Sequence, residues 1–261
     1  MPWLSYHLYP IESQDLFLTR ALKPFLDRYI WTDNASRAFF IRYQDEKGPH
    51  IRIRLKAGNE EAENQLKLEF ASWFEGRGEW KEVLYQSEAE RFGGEAGLAL
   101  AEEHFDLSSK VVLARMAKSD FMYGDAMYDA LRLHIISLHA AGFNPERIRW
   151  YFSKLYDQWL SLFFPVEEGE NITSNFKKLL KPQELNIRRN LHAVWEALED
   201  GKLDEQQPEW AQWIKGNKLI LNALGENLEK ALPSLIHLTN NRIGINNQDE
   251  VYLNYIFSNA V

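Results

Sequence analysis

Three stretches of the chain carry residue types that could do chemistry. The first is His50-Ile51-Arg52-Ile53-Arg54-Leu55, where apolar and polar residues alternate strictly. A strand sends alternate side chains to opposite faces, so Ile51, Ile53 and Leu55 share one face and His50, Arg52 and Arg54 share the other. That second face carries two guanidiniums and an imidazole spaced about 6–7 Å apart along the strand. Arginine forks bind carboxylates in bidentate fashion, so the face reads as an anion site. The plainer reading is the solvated side of a half-exposed sheet.

The second stretch is Tyr85-Gln86-Ser87-Glu88-Ala89-Glu90-Arg91-Phe92-Gly93-Gly94. Glu88 and Arg91 are three apart and face each other on a helical turn. The paired glycines allow a sharp turn or a close backbone approach. Taken alone, this is equally a surface ion pair beside a helix break. The third stretch sets His237 in the apolar run Leu235-Ile236-His237-Leu238, with Asn241 one turn later. A buried histidine is usually satisfied by its surroundings, yet imidazole is the side chain best matched to proton transfer near neutrality.

Other signals are weaker. His134 and His139 do not have metal-pair spacing, and His7, His104 and His192 stand isolated. The chain has no H-E-x-x-H, G-x-S-x-G, P-loop or dinucleotide glycine fingerprint. Trp150-Tyr151-Phe152 and the run from Trp159 to Phe164 have helical spacing and read as core.

These candidates need elements to position them. Trp3 to Tyr9 reads as a strand. A helix follows from Ser13, with Pro24 placed to kink or split it. Phe39 to Lys56 reads as two strands joined by a turn at Glu46-Lys47-Gly48-Pro49. Asn59 caps a helix through Phe74, and Trp80 to Tyr85 is a short strand. Residues 1–92 thus run β-α-β-β-α-β, the ferredoxin-like order, with a small mixed or antiparallel sheet. Beyond Gly93-Gly94 the periodicity is helical, at 95–104, 107–118, 121–141, 145–163, 174–199, 208–231 and 249–260. Phe164 to Thr173 and Gly201 to Pro208 read as loops. The expectation is an α+β fold: one domain over 1–261, with a sheet-containing part and a mostly helical body.

Composition narrows the class. Hydrophobic content of 45% and charged content of 26%, with 9 Trp, 11 Tyr and 15 Phe, describe a folded globular chain. The 30 basic against 38 acidic residues give a net charge of −8, which argues against a general nucleic-acid backbone binder. With no cysteine, disulfides, thiol nucleophiles and thiolate metal sites are excluded. The N-terminus lacks a signal-peptide pattern, no apolar run is long enough to span a bilayer, and a cytoplasmic location is expected.

Read together and in order, these stretches resemble the C-terminal, glutamate-elimination region of class I lantibiotic dehydratases, also described as thiopeptide-type bacteriocin biosynthesis proteins. The carrying residues are Trp3-Leu4-Ser5-Tyr6-His7-Leu8-Tyr9, Phe39-Phe40-Ile41-Arg42-Tyr43, and Gly48-Pro49-His50-Ile51-Arg52-Ile53-Arg54. Tyr85, Glu88, Arg91-Phe92-Gly93-Gly94, Phe105-Asp106, Ser108-Ser109, His237, Asn241 and Arg242 complete the set. Phe92 stands where the family usually has Tyr, and Leu238 where it usually has Met. The resemblance is to a free-standing elimination protein of a split system, in which a separate subunit glutamylates Ser or Thr using glutamyl-tRNA.

The resemblance implies a lyase that eliminates glutamate from glutamylated Ser or Thr of a ribosomal precursor peptide, leaving dehydroalanine or dehydrobutyrine. It implies that Arg52, Arg54, Glu88, Arg91 and His237 meet in one pocket. There Arg52, Arg54 and Arg91 would hold the glutamyl carboxylate and polarise the ester. His237 would be the acid/base, and Glu88 would orient an arginine or assist proton transfer. No cofactor or metal is implied. The partners implied are the precursor peptide and the glutamylation subunit, with no direct nucleic-acid contact and no membrane; a homodimer is compatible with the sequence. Two alternatives stay open. One is a pyridine-forming cycloaddition enzyme of thiopeptide macrocyclisation. The other is a non-catalytic partner that binds a leader peptide by adding a strand to a sheet edge.

Overall fold

A computed structural model describes residues 2–32, 35–118, 121–203 and 208–261. The chain divides into two compact units: residues 1–121 with 241–243, and residues 122–240 with 244–261.

The first unit is built on a four-stranded antiparallel sheet. Its strands are β1 (Leu4–Pro10), β2 (Arg37–Asp45), β3 (Gly48–Lys56) and β4 (Gly78–Glu82), in the order β2-β3-β1-β4. With its intervening helices this is the β-α-β-β-α-β arrangement expected from the sequence. The β2–β3 turn is tighter than expected: Gly48, at φ +122°, and Pro49 already belong to β3. The last strand starts and stops earlier than expected, at Gly78 and Glu82.

Ser13 caps α1 (Gln14–Phe17) by accepting from the Leu16 N–H. A π-turn over Leu18–Leu22 then leads into α2 (Lys23–Tyr29), with Pro24 in its first turn. Proline has no N–H to give the preceding turn, which accounts for the break. Asn59 caps α3 (Glu60–Phe74) through the Ala62 N–H. One sheet face packs on these helices: Tyr6 stacks on Phe70 at 4.0 Å, and Phe25, Phe70 and Phe74 close the layer.

The free edge of β2 is satisfied by side chains. Asp106 Oδ1 accepts from the Ala38 N–H at 2.9 Å, Ser109 Oγ from the Phe40 N–H at 3.3 Å, and Asn241 Oδ1 from the Arg42 N–H at 2.9 Å. An exposed row of strand donors invites pairing with another chain, and these three residues blunt it. Asp106 and Ser109 lie on α4 (Glu95–Met116), a single helix where the periodicity suggested two.

The second unit is helical: α5 (Tyr123–Ala140), α6 (Pro145–Phe163), α7 (Gly169–Leu180), α8 (Glu184–Glu199), α9 (Pro208–Leu224), α10 (Leu228–Ile243) and α11 (Asn247–Ala260). Residues 241–243, at the end of α10, are grouped with the first unit. Asn144 caps α6 and Pro145 opens it, as expected. The long helix expected over 174–199 is split, since Pro182 cannot continue it. The loop expected from Phe164 to Thr173 becomes helix at Gly169, and the helix expected over 208–231 breaks at Gly225, φ +53°. Of the Gly201–Pro208 loop, residues 204–207 lie outside the described set. The aromatic runs are core only in part: Phe152 stacks on Phe257 at 4.3 Å, while Trp150 is 60% exposed. Among the described residues no helix is long and apolar enough to cross a membrane.

Candidate active site

The polar face of β3 is covered, so it is not the solvated side of a half-exposed sheet. His50 and Arg54 are buried and Arg52 is half-buried. The antiparallel register sets His7 opposite Arg52 on one side and Ile41 on the other, while Arg54 lies between Ser5 and Phe39. His7, isolated in sequence, therefore joins the cluster. Its ring lies 4.9 Å from that of His50.

Arg52 is held from two directions. Its Nε donates to His50 Nε2 at 3.4 Å, and its guanidinium lies 3.2 Å from the centroid of the Tyr43 ring. His50 Nδ1 in turn lies 3.2 Å from the Gly48 carbonyl oxygen. An imidazole that accepts on Nε2 must carry its proton on Nδ1, so these contacts select one neutral tautomer. Burial also lowers the His50 pKa. His7 is pushed down to about 4, first by burial and then by the Arg52 charge. Both imidazoles are therefore neutral near pH 7.

Arg54 is 8% exposed and donates to the Ile53 carbonyl at 3.0 Å, with its guanidinium 5.3 Å from the Tyr85 ring centroid. Burial lowers its pKa to about 10. Tyr85 is held well above its ordinary range by burial and by Glu102, so its phenol stays protonated. Tyr85 also packs against Trp3 and Phe39.

Glu88 and Arg91 pair at 2.9 Å in the turn before α4. Both are largely exposed, and the charge of Glu88 is felt at Tyr85. The first unit thus brings Arg52 and Arg54 together on one face, with Tyr85 linking Arg54 electrostatically to Glu88.

His237 belongs to the second unit, on α10. Its Nδ1 lies 2.9 Å from Glu250 Oε2 of α11, and its ring is 5.0 Å from that of Trp159. Glu250 is 2% exposed, while His237 keeps a third of its side chain open. A carboxylate on Nδ1–H leaves Nε2 free to take a proton. Glu250 was not expected from the sequence: it lies thirteen residues away on another helix, and no local spacing links the two.

His7, Asp45 and His50 place ligand atoms within 4.8 Å of one another, a nitrogen–nitrogen–oxygen set of the type zinc accepts. Both His50 nitrogens already have partners, however, and Arg52 and Lys81 bring positive charge to the imidazoles. The set therefore favours an anion over a cation.

Residues 3–261 match the family described as "Lantibiotic biosynthesis dehydratase C-term". The chain belongs to this family. It is 27% identical over 267 residues to nisin biosynthesis protein NisB of Lactococcus lactis subsp. lactis, covering 97% of this chain and 25% of that protein. The chain thus spans about a quarter of the length of the curated relative it matches. The fold resembles that of TsrL (TM-score 0.74, 13% identity, 99% of this chain and 93% of that chain). It equally resembles the pyridine synthase TbtD from thiomuracin biosynthesis (TM-score 0.74, 13% identity, 100% and 97%). The tRNA-dependent lantibiotic dehydratase MibB from Microbispora sp. 107891 is similar at TM-score 0.62 and 21% identity, over 100% of this chain and 28% of that one. These structural likenesses concern the fold alone.

Proposed function

We propose that this member of the dehydratase C-terminal family eliminates glutamate from glutamylated Ser or Thr of a ribosomal precursor peptide. The observation that carries the reading is the covered cationic face of β3, where Arg52 is stacked and tethered and Arg54 is buried. A glutamyl ester of Ser or Thr must lose an α-proton and a carboxylate. A base removes the proton, its electron pair becomes the Cα=Cβ bond, and the Cβ–O bond breaks with its electrons leaving on the glutamate carboxylate. Preorganised positive charge at the developing anions lowers such a barrier.

In this reading Arg52, Arg54 and Arg91 hold the glutamyl group and polarise the ester. Glu88 orients Arg91 through their ion pair, and His237, oriented by Glu250, is the acid/base. The partners are the precursor peptide and a glutamylation activity that uses glutamyl-tRNA elsewhere, and the reaction is set in the cytoplasm.

The test is mass spectrometry of a glutamylated peptide incubated with the protein. Loss of glutamate with an alkene left on the peptide supports the reading. An unchanged rate with Arg52→Ala and His237→Ala sinks it. A second reading, pyridine-forming cycloaddition, is favoured by the fold likeness to TbtD over 97% of that chain. Its mark would be leader loss and a macrocycle from an already dehydrated peptide.

A further inference from the structure

Arg242 is the least expected charge in the first unit. Its side chain is fully buried, and none of its three guanidinium nitrogens has a hydrogen-bond partner among the described residues. Its backbone is fixed, since the Arg242 carbonyl accepts from Arg42 Nε at 3.0 Å and the neighbouring Asn241 is tied to β2. The guanidinium lies between aromatic rings, 4.9 Å from the Phe105 centroid and 6.0 Å from that of Phe39. It sits in the last turn of α10, where the helix end offers only partial negative charge. An isolated buried ion is among the most costly features a fold can carry.

A second buried guanidinium converges on the same place. Phe39 is the cross-strand neighbour of Arg54. The Tyr85 phenol interacts electrostatically with both Arg54 and Arg242. Tyr85 cannot neutralise them, because it stays protonated, and Glu102 is engaged by the Tyr85 hydroxyl. Two cations thus flank one neutral phenol, on an irregular stretch that follows β4 and leaves Leu84 85% exposed.

We infer that Arg242, with Arg54, forms a buried receptor for the side-chain carboxylate of the glutamyl group, covered by Tyr85. This deepens the elimination reading and rests on it. A glutamyl residue esterified through its α-carboxyl brings one free carboxylate and releases a second on leaving. One receptor must therefore recognise glutamate while another stabilises the departing group. A buried, doubly cationic site suits recognition, because it would strand its charge against glutamine. The ligand enters from the half-buried Tyr85 side, since Arg242 has no exposure of its own.

The test uses the full chain, L-glutamate and L-glutamine. Isothermal titration should show glutamate binding and no glutamine binding. Arg242→Met should melt at a higher temperature than the wild type when unliganded, because an uncompensated buried charge is gone. It should also lose glutamate affinity about ten- to a hundredfold, the worth of a charged hydrogen-bonded contact. With glutamylated peptide, its KM should rise by a similar factor at a nearly constant kcat. Arg242→Lys keeps the charge without the fork, and should fall between the two in affinity should the Met variant fail to fold. A purely structural arginine would behave oppositely: Arg242→Met would melt below the wild type and bind glutamate undiminished, which overturns the receptor. Arg242-dependent glutamate binding without any elimination keeps the receptor and removes the eliminase reading.

Discussion

The two compact units differ in how they bury charge. In the second, two histidines and a tryptophan meet partners, while Tyr151 Oη, Asn217 Oδ1 and Asn254 Nδ2 are buried with no hydrogen-bond partner among the described residues. His134 Nε2 pairs with Asn240 Oδ1 at 2.7 Å, His237 with Glu250, and Trp213 Nε1 donates to the Leu133 carbonyl at 3.0 Å. In the first, positive charge is buried without matching negative charge, at Arg54 and above all at Arg242. Paired groups orient a proton carrier. Unpaired cations wait for an anion. For the proposed elimination, an oriented histidine suits proton transfer and an unpaired arginine suits holding a carboxylate.

The largest effect that could break this contrast is on catalysis. His237→Ala should slow glutamate elimination by about 10²–10⁴-fold, the usual worth of a positioned acid/base. Glu250→Gln should fall between that variant and the wild type, since it keeps the contact but loses the carboxylate. A Glu250→Gln enzyme as fast as the wild type would reduce the His237–Glu250 pair to packing.

A change of stability comes next. Asp106 accepts from the Ala38 N–H and the Trp31 Nε1, and pairs with Lys110. Asp106→Ala leaves a buried strand N–H bare and should cost about 3 kcal/mol in urea unfolding. An unchanged midpoint would show that the β2 edge needs no cap.

Acid tests a property that the two units share. His7 in the first unit and His134 in the second are each held at about 4, chiefly by burial, below the ordinary 6.5. The unfolded chain therefore binds more protons between these values. Stability from both groups is full above about pH 6.5 and is lost as pH falls toward about 4. His7→Gln and His134→Gln should each flatten part of the pH dependence of the unfolding midpoint. A wild-type curve that is already flat in this window contradicts both assignments.

The smallest expected change is in stability at the exposed Glu88–Arg91 pair. Arg91→Ala should leave it within about 1 kcal/mol of the wild type while impairing elimination. A large loss of stability would make this pair structural.

Much of this was legible from residue order. The alternation in 50–55 marks β3 and its two faces, and the Ser13, Asn59 and Asn144 caps stand where their helices begin. The resemblance drew Asp106, Ser109, Asn241 and Arg242 to notice without a physical role for any of them. Those roles rest on contacts across 68, 69 and 199 residues, beyond the reach of local periodicity. The helix boundaries at Pro182 and Gly225 went unread for a different reason: apolar spacing continued across both breaks.

By itself the sequence determined the β-α-β-β-α-β order, the face shared by His50, Arg52 and Arg54, and the Glu88–Arg91 turn, because each is set by neighbours within a few residues. Only the tertiary structure decided that this face is covered, that His7 joins it, that Glu250 orients His237, and that Arg242 is buried without an acceptor. Burial and pairing depend on which distant segments pack together, and a residue's charge says nothing of whether a counter-charge will be packed beside it.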